Sequence, residues 1–306
     1  MEIRRISSAG RLTHAFPLQA YAFEASPAPL ERVASYRDYL PFQEDNVTLV
    51  AEEGGTAVAA ASAIPMRQNV RGTLHPMAGI AGVVVHPLAR RRGHIRTLPT
   101  RLLGDMRDSG QPLSALYPFR ASFYERFGYI GLPKARRVTF APADLGHLVR
   151  ADLPGELLQF FARHVDQVER VAADELPELW ATDLGTVVEA RTRVPDMNAP
   201  MARVLAVPPL AGARVGPGRV VVEVVDDPFI AGTYLLDGRA GRLEVGGDEA
   251  GVPRATLRAA GLSALVYGVL EPDELPLRGF GAVPADAGAQ LRALFPRAVP
   301  YLFADF

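Results

Sequence analysis

The 306-residue chain has no cysteine, which excludes disulfides, thiol nucleophiles and thiolate metal sites. Its one tryptophan, Trp180, reads as a packing anchor rather than a ligand platform. No apolar run approaches the roughly 20 residues that a membrane helix needs. The start, Met1-Glu2-Ile3-Arg4-Arg5-Ile6, lacks the apolar core of a signal peptide. No membrane association is expected, and a cytoplasmic location fits best. The six histidines (His14, His75, His86, His94, His147 and His164) show no ligand spacing, so no metal is expected.

A hydrophobic content of 48% and a charged content of 22% are those of a globular chain, long enough for about two domains. The net charge of −1 hides an asymmetry. Residues 1–140 hold 18 Lys+Arg against 11 Asp+Glu, and the remainder 15 against 23. A basic first part suits a polyanionic cofactor or nucleic acid. Aromatic–basic alternation and zinc spacing are both missing, so nucleic acid is not expected. The acidic second part suits either a cationic substrate or, more plainly, a solvated surface.

The densest pattern lies between Ala81 and Tyr129. Gly82-Val83-Val84-Val85 is a short β-branched run, closed by Pro87. Arg90-Arg91-Arg92-Gly93 follows, then a helical spacing of Leu98, Leu102, Leu103 and Met106. Pro112 to Tyr117 is a second apolar piece after the Ser109-Gly110 turn. Strand, basic glycine turn, helix, strand is an order with a chemical use. The first amides of a helix have no internal partner, and its dipole adds partial positive charge there. A glycine at the entrance lets an anion approach the backbone. A diphosphate is the natural guest, and a solvated basic turn is the plainer alternative. Pro99, inside that helix, is expected to kink it.

Gly82-Val-Val-Val-His-Pro, Arg90-Arg-Arg-Gly-His-Ile-Arg96 and Phe123-Tyr-Glu-Arg-Phe-Gly-Tyr129 together resemble the Gcn5-related N-acetyltransferases (GNAT). Within that superfamily they are most similar to the enhanced intracellular survival (Eis) branch. The resemblance implies that Arg90, Arg91, Arg92, Gly93, His94 and Ile95 hold the diphosphate of acetyl-coenzyme A. It implies that Val83 and Val85 pair through their backbone with the pantetheine arm, and that Ser122 lies near the cofactor. Tyr124 is then the acid that protonates the departing thiolate, with Phe127 and Tyr129 in the core. The ending, Tyr301-Leu-Phe-Ala-Asp-Phe306, also matches. By resemblance the carboxylate of Phe306 is the base, with Asp305 beside the acceptor; a frayed tail is the alternative. Glu24, just before the Ser26-Pro27 break, is a candidate contact for a cationic substrate, with a solvent-exposed carboxylate as the plainer alternative.

The fold expected is α/β: a GNAT mixed sheet flanked by helices, plus a smaller α+β domain similar to sterol carrier protein. Residues 1–140 form the acetyltransferase domain, 141–198 a helical connector and 199–306 the third part. Within these, Ile3–Ile6, Val47–Ala51, Thr56–Ile64, Val70–Leu74 and Met77–Val85 read as strands. Leu12–Tyr39 reads as one or two helices broken near Ser26-Pro27. Residues 157–171 and 175–184 read as connector helices, and Leu257 with Leu262–Leu270 as a later one.

The function expected is acetyl-CoA-dependent transfer to an amine, on a small molecule or a peptide, by direct attack. The resemblance points to polyamines of the aminoglycoside kind, and it leaves a homo-oligomer open. Two other readings stand beside it: an acyl-CoA-binding sensor with little catalysis, and a hydrophobic-ligand carrier working through the C-terminal part.

Overall fold

A computed structural model describes residues 2–134, 136–143, 169–176, 191–193, 199–300 and 302. Strands β1 (Glu2–Ile6), β2 (Val47–Glu53), β3 (Thr56–Val70), β4 (Thr73–Val85), β5 (Leu113–Leu116) and β6 (Ile130–Gly131) come from the first part. Next, β7 (Arg136–Phe140), β8 (Val171–Leu176) and β9 (Arg191–Arg193) make a three-stranded sheet of order β8-β7-β9. Then β10 (Met201–Val204) returns to the first sheet, whose order is β1-β2-β3-β4-β5-β10-β6. Its pairs are antiparallel except β4 with β5.

Alternate residues of β5 and β10 face opposite cores, so both strands are buried throughout. On β5, Leu113 and Ala115 join one core while Leu116 joins the other; on β10, Ala202 and Val204 oppose Met201 in the same way. A strand covered on both faces has no polar side to show. One cover is α4 (His94–Asp108), which follows α1 (Ser8–His14), α2 (Phe16–Phe23) and α3 (Leu30–Tyr39). Leu98, Leu102, Leu103 and Met106 of α4 pack on Leu49, Ala51, Ala59, Ala61, Ala78 and Ile80. After α5 (Ala121–Glu125), the other cover is α6 (Ala259–Tyr267), in which every residue is buried. A helix apolar all round must lie between layers. Ser263 satisfies itself there, donating to Ala259 O at 2.7 Å and accepting from Val204 N at 3.0 Å.

The second large sheet holds β11 (Arg219–Val225), β12 (Gly232–Asp237), β13 (Glu244–Gly246), β14 (Arg254–Arg258) and β15 (Gly281–Ala282), in the order β13-β12-β11-β14-β15. Beside it run α7 (Glu274–Leu277) and α8 (Ala285–Leu294). One apolar cluster joins Met77, Leu113 and Ile130 of the first sheet to Val220, Leu257 and Leu265. Arg71 ties the same parts together, donating to Val266 O at 2.7 Å and Leu265 O at 2.8 Å. Burial pushes its guanidinium down to about 10.

Four local expectations change. Val70–Leu74 is not a strand but the tip of one long hairpin, because Arg71 (φ 50°) and Gly72 (φ 73°) make a two-residue turn with both torsions positive. Val171 to Leu176 is strand β8, where helices were expected on either side; its partner β7 supplies the ladder that local spacing cannot reveal. Residues 157–168 and 177–184, with Trp180, lie outside the described residues. Leu257 is on β14, and the helix starts at Ala259. The 12–39 segment holds three helices rather than two. Pro99 sits inside α4, which runs from His94 to Asp108.

Candidate active site

The site begins where two parallel strands part. β4 and β5 pair from Met77↔Leu113 to Ile80↔Leu116, and then β5 ends while β4 continues to Val85 beside β3. At the parting Ala60 faces Val84 and Ser62 faces Ala81, so Gly82 and Val83 stand against Ala61 alone: a β-bulge. Gly82 makes it with φ +58°, and the Gln19 side chain occupies the space a Cβ would need. Val83 and Val85, two residues apart, pack against the same apolar cluster as α4. Val83 lines one cavity and Val85 another.

The Val85 cavity, of about 990 Å³, is walled by Arg90, Arg91, Gly93, His94 and Ile95. Gly93 caps α4 with φ +88°, no side-chain cap and nothing within 4 Å of where a Cβ would stand. The α4 amide end therefore opens on free space. Arg91 is itself in the left-handed region at φ +66°, unusual for a non-glycine residue. Tight backbone of this kind clusters at functional sites. Arg92 does not reach the cavity. It donates to Glu53 at 2.6 Å, and the same carboxylate lies 3.1 Å from Nε2 of buried His94. Glu53, on β2, thus pins the turn from behind. A helix end without a side-chain cap, an open glycine and two basic side chains are the donor set of a diphosphate, and they fit coenzyme A.

The Val83 cavity, of about 620 Å³, carries Tyr124. Adjacent residues of α5 face different cavities, Phe123 the first and Tyr124 the second. Phe119, Phe123 and Tyr129 surround the Tyr124 ring at 5.7, 5.0 and 6.0 Å. Burial pushes its phenol up to about 12, so the proton stays on through any ordinary pH. Among the described residues its hydroxyl has no hydrogen-bond partner. Tyr129 is core: buried, its phenol raised by burial, its hydroxyl 2.7 Å from Ser114 Oγ.

Of the expected residues, Val83, Val85, Arg90, Arg91, Gly93, His94, Ile95 and Tyr124 come together at the two cavities. Ser122 lies exposed and lines neither cavity. Glu24 does border the Tyr124 cavity, but Arg32 takes both its oxygens at 2.7 and 2.6 Å and lowers its pKa. Asp305 and Phe306 lie outside the described residues. Three residues escape the sequence reading. Arg203 of β10 and Asp227 form a buried pair at the floor of the Val85 cavity, and Arg11 is buried in the wall of the other. A charge inside the apolar run Arg203-Val-Leu-Ala-Val was the one visible signal.

Residues 2–130 match the family model "Acetyltransferase (GNAT) domain". Over 118 residues the chain is 34% identical to N-acetyltransferase Eis of Mycobacterium tuberculosis (strain ATCC 25177 / H37Ra), covering 37% of this chain and 29% of that one. The match thus spans less than a third of that curated relative. Similar folds extend over the whole chain. GCN5-related N-acetyltransferase from Kribbella flavida superposes with a TM-score of 0.73 at 24% identity, covering 100% of both chains. Eis1 from Mycobacterium abscessus gives 0.76 at 16% identity, covering 99% of both. Residues 2–130 thus match a GNAT acetyltransferase domain and share homology with Eis, and the chain has the mixed α/β fold of these structures.

Proposed function

We propose that this protein is an acetyl-coenzyme A-dependent N-acetyltransferase that passes the acetyl group directly to an amine. The observation that carries this reading is the bulged end of β4, with an anion-ready helix terminus on one side and a buried, protonated tyrosine on the other. Acetyl-CoA, when bound, supplies an acyl thioester. The α4 amides with Arg90 and Arg91 hold its diphosphate. The β4 edge left free beyond Ile80 offers backbone groups to the pantetheine arm, and Gly82 and Val83 keep the carbonyl at the parting of the strands.

The acceptor would approach as a neutral amine from the Val83 cavity; its nitrogen would replace the sulfur on the acyl carbon and lose one proton to water. Tyr124 gives its proton to the leaving sulfur. A phenol with a pKa near 12 is a weak acid, but the burial that raises it also disfavours a free thiolate beside it. The C-terminal sheet serves as support, reaching the site through Arg203. Thiol release from acetyl-CoA over a panel of primary amines tests the reading. Amine-dependent release is expected; tight acetyl-CoA binding without release for any amine would favour a sensor role instead.

A further inference from the structure

The Tyr124 cavity contains a charge that nothing described neutralises. Arg11, on α1, is only 4% exposed and lines that cavity. Among the described residues its guanidinium makes one hydrogen bond, a long one, 3.5 Å to the carbonyl of Gln43. Its Nε is buried without a partner, and no carboxylate of the described residues lies within ion-pair distance. Two further polar atoms of the same wall are buried without a well-formed hydrogen bond among the described residues: the Tyr36 hydroxyl, which stands beside the Arg11 guanidinium, and Gln43 Oε1. Tyr36 is 8% exposed; burial raises its phenol, and neighbouring Arg11 opposes the rise. An amide flip exchanges Oε1 and Nε2 of Gln43, so all three side chains can donate.

Water can satisfy a hydroxyl or an amide, but a buried guanidinium without a counter-charge costs several kcal/mol. Such groups persist where an anion arrives. The rest of the wall agrees. Its other charged residue, Glu24, is already neutralised by Arg32. The cavity is lined by residues 11–124, all from the basic part of the chain and none from the acidic part. Its mouth exposes Phe23, Tyr39, Phe42 and Phe119, at 62%, 58%, 81% and 62%. Exposed rings gathered at a cavity mouth mark a place for an apolar body.

We infer that Arg11, Tyr36 and Gln43 form an anion subsite, and that the acceptor is an amine carrying a carboxylate and an apolar body rather than a polycation. The inference rests on the acetyltransferase reading and narrows it. The carboxylate meets Arg11 and Tyr36, the apolar part lies among the four rings, and the amine reaches Val83 and Tyr124.

The test uses matched pairs: phenylalanine with phenylalaninamide, and 4-(aminomethyl)benzoate with its carboxamide, alongside spermidine as a polycation. A charge-assisted hydrogen bond in a buried site predicts kcat/KM roughly 10- to 100-fold higher for the carboxylate in at least one pair. Arg11→Met removes that preference, Tyr36→Phe narrows it and Arg11→Lys retains part of it. Acetyl-CoA binding by each variant shows that it is folded; should Arg11→Met not fold, the other two decide. A variant lacking Asp305 and Phe306 tells the acceptor's carboxylate from the chain's own. The preference is expected to persist there, and a preference that appears only after the deletion would overturn the inference. So would equal rates within both pairs, an unchanged preference in Arg11→Met, or spermidine as the best acceptor. If no amine is acetylated, the transferase reading falls, and calorimetric binding of the same pairs still judges the subsite. Binding of the carboxylate member, lost in Arg11→Met, upholds it; equal binding of both members refutes it.

Discussion

Arg203 and Asp227 join the two large sheets beneath the Val85 cavity. Nη2 of Arg203 donates to both carboxylate oxygens, at 3.0 and 2.9 Å, and the two side chains are only 1% and 5% exposed. Nη1 donates to Phe127 O, just after the tyrosine helix, and the guanidinium lies 5.1 Å from the Phe229 ring. Asp227 also accepts from the amides of Phe229 and Ile230, at 2.9 and 3.1 Å. The segment after Tyr124 is therefore anchored to the C-terminal sheet through one buried pair.

Removing one member leaves the other charged and buried. Arg203→Met is expected to cost about 3–5 kcal/mol in urea unfolding. The double variant Arg203→Met/Asp227→Leu should recover a large part of the loss. A double variant no better than the single one would show that the pair acts through its separate backbone bonds.

Gly93→Ala separates the backbone from the space around it. Nothing stands within 4 Å of the added Cβ, so no clash arises, but φ +88° costs an alanine about 1–2 kcal/mol. That strain falls on the helix end proposed to hold the diphosphate. The dissociation constant of coenzyme A, measured by calorimetry, should rise roughly tenfold, the equivalent of about 1.4 kcal/mol. Unchanged affinity would place the diphosphate elsewhere.

Arg90 and Arg91 face the cavity proposed to hold coenzyme A from an exposed turn, where salt screens their charge. Binding of coenzyme A should weaken as salt rises from 0.05 to about 0.5 M. In the Arg90→Gln/Arg91→Gln variant it should be weaker at low salt and less dependent on salt. A parallel salt dependence in both proteins would remove these side chains from the interaction.

The motif between Gly82 and Tyr129 is legible because its chemistry is local. A positive-φ glycine, adjacent arginines and a helix face with Leu98, Leu102 and Met106 all lie within one short stretch, and the turn and helix follow from them. The four-residue strand β10 is a different case. It becomes a strand because β5 and β6 lie on either side of it, about 70 to 90 residues away in sequence, and nothing in Met201–Val204 announces that. Arg11 is illegible for the same reason. On a short helix it looks like a surface charge, and only α3 and the Leu40–Gln43 turn, packed over it, make it a buried one.

Tyr124 offers a test through pH. Its phenol is raised to about 12 from an ordinary value near 10, so the fold favours the neutral form. The resulting stability is fully present below pH 10 and is lost as pH rises from 10 through 12. In alkaline unfolding, wild type should therefore lose more stability over that window than Tyr124→Phe. In tyrosinate absorbance the variant should lack one late-titrating group. A group missing from the curve near pH 10 instead would show the phenol to be solvated.

The most direct measurement is kcat for acetyl transfer in wild type and Tyr124→Phe, beside the acetyl-CoA dissociation constant of each. Losing a proton donor predicts a fall of roughly 10²- to 10⁴-fold in kcat, with cofactor affinity unchanged. Stability near pH 7 should shift by less than about 0.5 kcal/mol, since no described hydrogen bond is lost. A variant that turns over at the wild-type rate, with the same affinity, would contradict the assignment of Tyr124 as the acid at the parting of β4 and β5.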